Sequence, residues 1–235
     1  MANDIFRDFL DIFLIIYSKT QDEHNAHVRQ VLQWLCEYGL YAKLEKCNFD
    51  CKQVEFLGYV ASSEGVSMDP TKVQTVLDWR TPCSVRDVQC FLGIANFYRK
   101  FIKGYSAIIL PLTQLTQKNQ SFIWTPGAAK AFMDLKKAFT FAPILAHVDP
   151  HWPFITEADA SDFALVSILS QQGVDGQLHP VAIHSRKFNA AEINYEVHGK
   201  ELLAIVDSFE QWRRLLEGSL HEILVYSDHK NLTYF

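Results

Sequence analysis

Five carboxylates and two imidazoles carry the chemistry of this chain. Glu157, Asp159 and Asp162 cluster within the run F-I-T-E-A-D-A-S-D, residues 154–162. Glu201 follows some forty residues on, and Asp228 with His229 lies near the end. An acid on a central strand is costly to bury unless a cation or another partner meets it. Carboxylates converging from separate elements form a hard, oxygen-rich site suited to Mg²⁺ or Mn²⁺. The alternative for Asp159 alone is a solvated turn acid. His198 and His229 are candidate proton shuttles, with a structural or surface role as the alternative.

These acids need elements to position them. Trp152–Ile155 and Phe163–Leu169 are apolar runs flanking the acidic cluster, which predicts a hairpin of two strands with carboxylates near its middle. Asn189 and Glu192 form a capping box for a helix over 189–217. Its apolar stripe is read as Leu202, Ile205, Phe209, Trp212 and Leu216, with Glu201 on the stripe's edge. Ile223–Tyr226 reads as a strand that delivers Asp228. Asp159, Glu201 and Asp228 thus come from a strand, a helix and a strand end.

Several words place the chain beside a known family. They are E-A-D-A-S-D (157–162), L-H-P-V-A (178–182), S-R-K (185–187), N-Y-E-V-H-G-K-E-L-L-A-I-V (194–206), W-R-R-L-L-E-G (212–218) and S-D-H-K-N-L (227–232). Upstream stand V-E-F-L-G-Y (54–59), M-D-P-T-K-V (68–73), F-L-G-I-A-N-F-Y-R-K-F-I (91–102) and A-F-T-F-A-P-I-L (138–145). In this order they resemble the Pol polyprotein of Ty3/gypsy-type retrotransposons, nearest in flavour to the sushi-like elements. The resemblance implies an α/β chain in three parts: a reverse-transcriptase palm remnant (1–68), a helical thumb and linker (69–149), and a ribonuclease H-like domain (150–235). The last would be built on a mixed five-stranded sheet and cut short at its C-terminus, without the family's fourth metal-binding acid.

By that resemblance Asp159, Glu201 and Asp228 are catalytic metal ligands for two ions, Asp159 bridging both. The partner is an RNA–DNA hybrid or another nucleic acid. Phe56, Leu57, Gly58 and Tyr59 match the hairpin that positions a primer terminus, and Arg86, Arg99, Lys100 and Lys103 would face the hybrid backbone. The family's Tyr-x-Asp-Asp strand is missing, and no Asp-Asp pair stands anywhere in the chain. Phosphoryl transfer by two metals needs carboxylates for both ions, so polymerase activity is expected to be absent. Asp4, Asp8 and Asp11 fall at helical spacing and read as a solvated face. Where relatives carry a small residue in the second strand, this chain has Leu165-Val166, either an obstruction near the site or a neutral core exchange. A non-catalytic nucleic-acid-binding relic and a poorly folding decayed fragment remain the alternatives to an enzyme.

Composition agrees with a globular protein, at 49% hydrophobic and 21% charged residues. No apolar run approaches membrane-spanning length, and no secretory signal is evident, so an intracellular location is expected. Five cysteines read as reduced thiols. The net charge of −5 hides an asymmetry. Residues 69–140 carry ten basic against four acidic side chains, whereas both flanks are acidic. A basic middle suits contact with phosphates, and a merely Lys-rich helix surface is the alternative.

In that middle, helices are predicted to start at Pro70, after Ser84, near Tyr105 with a break at Pro111, and at Pro126. Phe91, Phe97 and Phe101 are expected in their core. Near the N-terminus, a helix over Asn3–Leu14, a strand over Leu14–Tyr17, a helix over Asp22–Tyr38 stopped by Gly39, and strands over Tyr41–Lys43 and Val54–Ala61 are expected.

Overall fold

The computed structural model describes residues 16, 18, 20–118 and 120–227. The chain divides into two units, residues 1–54 and 55–235.

In the first unit, α1 spans Gln21–Glu37. Thr20 is extended and its hydroxyl accepts from the Glu23 amide at 3.3 Å. The helix stops at Tyr38, and Gly39 follows with φ 65°, a left-handed C-terminal turn that glycine favours. No residue of α1 is fully buried. The strand expected at Tyr41–Lys43 is not formed: the segment runs irregularly into a single 3₁₀ turn, Leu44–Lys46. Three residues without a neighbouring edge among the described residues have no ladder to join. The helix expected over Asn3–Leu14, with Asp4, Asp8 and Asp11, lies outside the described residues, as does nearly all of the strand expected over Leu14–Tyr17.

A small sheet, in the second unit but for the first two residues of β1, has the order β1 (Gln53–Phe56), β2 (Tyr59–Ser62) and β3 (Val66–Met68). Val54–Ala61, read from its pattern as one strand, turns at Leu57 and Gly58 into the hairpin that the resemblance implies for Phe56–Tyr59. Leu57 and Gly58 both take positive φ, 49° and 79°, as a two-residue turn between right-twisted strands demands. Gly65 has φ 148°, and a Cβ there would meet the Leu145 carbonyl oxygen at 2.1 Å. That close approach lets Val66 and Leu145 exchange two backbone hydrogen bonds of 2.8 and 2.9 Å.

The helices that follow start where their caps predict. Asp69 caps α2 (Pro70–Leu77), and Ser84 caps α3 (Val85–Phe97) while Asp87 returns a bond from the Cys83 amide. α4 (Tyr105–Ile108) and α5 (Leu110–Gln114) are separated at Ile109, with Pro111 in the first turn of α5. Thr125 caps α6 (Pro126–Thr140). Their common core holds Val76, Val88, Phe91, Phe101, Leu112, Leu135 and Phe139. Burying each such side chain stabilises by about 1.5–3 kcal/mol. Phe97 departs from expectation: it is 48% exposed.

The larger sheet has the order β6-β5-β4-β7, with β4 (Phe154–Ala160), β5 (Ala164–Gln172), β6 (Leu178–Lys187) and β7 (Leu224–Tyr226). β4, β5 and β6 form an antiparallel meander, and β7 lies parallel to β4. The helix expected over 189–217 is three pieces: a 3₁₀ turn (Glu192–Asn194), α7 (Val197–Gln211) and α8 (Arg213–Leu216). Asn189 and Glu192 do cap each other, but over the 3₁₀ turn. Tyr195 and Glu196 then run extended and restart the helix at Val197.

Strand alternation gives the sheet two different faces. Thr156, Ala158, Leu165 and Ser167 are buried on the face that α7 covers, where the Ser167 hydroxyl donates to the Ala204 carbonyl at 3.4 Å. The other face carries Glu157, Asp159, Val166, Ile168, Ile183 and Ser185. Its β6 side is closed by the helical module: Ile168 and Ile183 join the helical core.

Candidate nuclease site and nucleic-acid interface

Asp159 stands one residue before the end of β4, exposed, on the face opposite α7. Glu201 approaches from α7. The apolar stripe predicted a different phase for this helix. Leu202 is 43% exposed, whereas Glu201, Ala204 and Ser208 form the buried ridge. The small side chains of Ala204 and Ser208 allow α7 close to β4 and β5, and that contact outweighs the burial of Leu202. Glu201 is consequently 3% exposed rather than on the stripe's edge. Its Oε1 accepts from the Ala160 amide at 3.2 Å, one residue beyond Asp159. The Glu201 carboxylate therefore reaches the C-terminal end of β4, where Asp159 stands on the other face of the strand.

β7 approaches the same end, with Tyr226 paired to Glu157. Asp228 and His229 lie outside the described residues. Among the described residues no three metal-binding side chains gather. The two acids that are described supply hard oxygen donors, one buried and one open to solvent, and this chemistry fits Mg²⁺ or Mn²⁺ better than a softer metal. His198, one turn before Glu201, is exposed, with Nδ1 3.4 Å from Glu196. Glu157 and Asp162 are also exposed.

A polar clamp, unforeseen from the sequence, fixes α7 to β6. Asp207 accepts from Arg186 Nε at 2.7 Å and from His184 Nε2 at 2.9 Å. Arg186 Nη1 also donates to Glu192 at 2.8 Å, tying in the turn before α7. The ion pairs hold the Glu192 carboxyl below and the Arg186 guanidinium above their ordinary values. For His184 burial dominates: it lowers the imidazole pKa despite Asp207, whose charge Arg186 already shares. The available signal was Arg186 in the S-R-K word, an arginine on a half-buried strand that needs an acid within reach.

The residues expected to contact nucleic acid divide into two groups. Leu57 and Gly58 form the exposed hairpin tip, with Phe56 and Tyr59 half-buried beneath it. The tip is braced against α3: Tyr98 donates its hydroxyl to the Gly58 carbonyl at 2.8 Å, and Tyr59 stacks on Phe97 at 5.0 Å. Burial raises the Tyr98 phenol to about 12, with Asp69 and Tyr59 adding to the effect. Lys100 seats its ammonium 3.8 Å above the Tyr59 ring. Burial of its ammonium end lowers the Lys100 pKa.

Arg86 and Lys103 extend into solvent. Arg99, also exposed, donates Nη2 to the Ser185 carbonyl at 2.8 Å. Beside it the Ser106 amide donates to Ser185 Oγ at 2.9 Å, and Lys187 Nζ reaches Thr113 Oγ1 at 2.6 Å. These bonds seal the helical module onto β6.

Comparison with known proteins agrees with this architecture. Residues 124–225 match the family model described as the RNase H-like domain found in reverse transcriptase. Residues 9–61 match that of reverse transcriptase (RNA-dependent DNA polymerase). The Transposon Tf2-3 and Tf2-4 polyproteins of Schizosaccharomyces pombe are each 36% identical over 219 residues, 93% of this chain and 16% of the relative. The chain thus spans about a sixth of the length of those relatives.

Among solved structures, the foamy viral protease-reverse transcriptase dRH in complex with ds DNA superposes with TM-score 0.76 at 22% identity, over 100% of this chain and 42% of that one. The foamy viral protease-reverse transcriptase in complex with RNA/DNA hybrid gives 0.74 at 23%, over 97% and 31%. At such identities the structures speak for the fold. The curated relatives, the two matched models and the mixed α/β fold agree that the chain is similar to Ty3/gypsy-type retrotransposon Pol polyproteins, with reverse-transcriptase sequence followed by an RNase H-like domain.

Proposed function

We propose that this chain is a ribonuclease H-type endonuclease, hydrolysing the RNA strand of RNA–DNA hybrids with Mg²⁺ or Mn²⁺. The observation that carries this reading is the hydrogen bond from the amide next to Asp159 to the buried Glu201, which brings a helix carboxylate to the strand end that carries Asp159. Asp228 is the third ligand: it stands two residues beyond Tyr226, as Asp159 stands two beyond its partner Glu157. Two bound ions would supply a water of lowered pKa and positive charge near the leaving 3′ oxygen. Asp159 holds the open side of the site, and the clamped helix α7 keeps Glu201 in place. The phosphorus–O3′ bond breaks as water adds to phosphorus, leaving a 5′-phosphate and a 3′-hydroxyl. Recognition rests on the 2′-hydroxyl and the shape of the minor groove.

The hairpin tip, Arg86 and Lys103 serve as nucleic-acid contacts, in keeping with foamy viral relatives captured on DNA and on a hybrid. We extend the proposal to polymerisation: without an Asp-Asp pair, this chain does not extend primers. A non-catalytic hybrid-binding role is the second reading, favoured by the placement of the branched Val166 directly opposite Asp159.

Cleavage of a labelled RNA–DNA hybrid in Mg²⁺ and in Mn²⁺, beside an Asp159→Asn variant, tests the proposal. The expected result is cleavage that the variant loses. A folded protein that binds hybrid without cutting it in either metal refutes the enzyme reading and leaves the binding role.

A further inference from the structure

Asp159 pairs with Val166 across β4 and β5, and Val166 pairs with Ser185 across β5 and β6. The three side chains therefore stand in one row on one face of the sheet. The ends of this row differ. At Ser185 the helical module closes the face, through Arg99 and Ser106. At Asp159 the face is open. Val166 is half-buried between them.

Opposed side chains on neighbouring strands have Cβ atoms about 4.5–5.5 Å apart. A β-branched side chain in a strand has little freedom to turn away. Ile168 and Ser185, its neighbours on that face, are drawn into the contact with the helical module. The apolar group beside Asp159 is thus fixed in place.

We propose that Val166 is a specificity-determining residue of this site: a rigid apolar wall that limits how closely a duplex backbone settles against Asp159, while a bare ion passes freely. The inference rests on the reading of Asp159 as a metal ligand. Substrate bulk on the helical-module side of the carboxylate decides binding, and the size of residue 166 sets the limit.

A size series tests it: Val166→Gly, Val166→Ala, wild type and Val166→Phe. Mn²⁺ affinity is measured by electron paramagnetic resonance, and binding of a fluorescent RNA–DNA hybrid by anisotropy in Ca²⁺. Thermal melts identify any variant that fails to fold, and Val166→Ala keeps the strand if the glycine does not. Mn²⁺ affinity is expected to stay constant across the series. Hybrid affinity is expected to rise by about fivefold on trimming to alanine, and to fall by at least as much with phenylalanine. Hybrid affinity independent of residue size, with Mn²⁺ binding still lost in Asp159→Asn, overturns the wall and leaves the site standing. Mn²⁺ binding unaffected by Asp159→Asn overturns both.

Discussion

Replacing Arg186 by glutamine should loosen the helix that carries Glu201. Arg186 Nε and Nη2 both lie 2.7 Å from Asp207 Oδ1, and Nη1 lies 2.8 Å from Glu192. Hydrogen bonds to charged groups each contribute about 1.5–3 kcal/mol. The simple sum overshoots, because the side chains are 13–31% exposed and water replaces part of what is lost. Two acids left without their cation, one of them also bonded to His184, put the net cost at about 2–4 kcal/mol.

For a unit of this size each kcal/mol moves the melting temperature by about 2–4 °C. Arg186→Gln should therefore melt roughly 4–16 °C lower at neutral pH, read by circular dichroism. A double-mutant cycle with Asp207→Asn isolates the pair, with a coupling of at least ~1.5 kcal/mol expected. A melting point within about 1 °C of wild type, or strictly additive single effects, would refute the clamp.

Three further outcomes follow from the same geometry. Glu201→Gln keeps an oxygen for the Ala160 amide but removes the charge, so stability should stay within about 1 kcal/mol of wild type while Mn²⁺ affinity falls at least tenfold; calorimetric titration beside a melt checks both. Gly65→Ala drives a Cβ into the Leu145 carbonyl at a φ of 148°, and should cost more than about 3 kcal/mol in a urea titration. Because burial lowers the His184 pKa, the unfolded chain takes up that proton first as pH falls, so stability present above the ordinary histidine value of 6.5 is lost below it. Urea midpoints should therefore drop between pH 7.5 and 5.5, and His184→Gln should flatten part of that slope.

Local chemistry was legible in the sequence wherever a few adjacent residues decide the outcome. Asp69, Ser84 and Thr125 start their helices because a side-chain oxygen satisfies an amide two or three residues on. Gly39 ends α1 because it adopts a positive φ without strain. Asp159 was recognisable because acids between two apolar runs demand a reason.

What the sequence misplaced depends on contacts between distant segments. The phase of α7 follows from Ala204 and Ser208 fitting closely against β4 and β5, which turned Glu201 inward and Leu202 out. Phe97 has the composition of a core residue, yet it stacks against Tyr59, thirty-eight positions away, and stays exposed. Arg99 has the charge of a phosphate contact, and the bond it also makes to a carbonyl on β6 is one that no local pattern announces. The identity and spacing of the acids were therefore written locally. Only tertiary packing decided where each is presented, because a helix phase, a strand register and a cation's partner are set by surfaces that the chain brings together after folding.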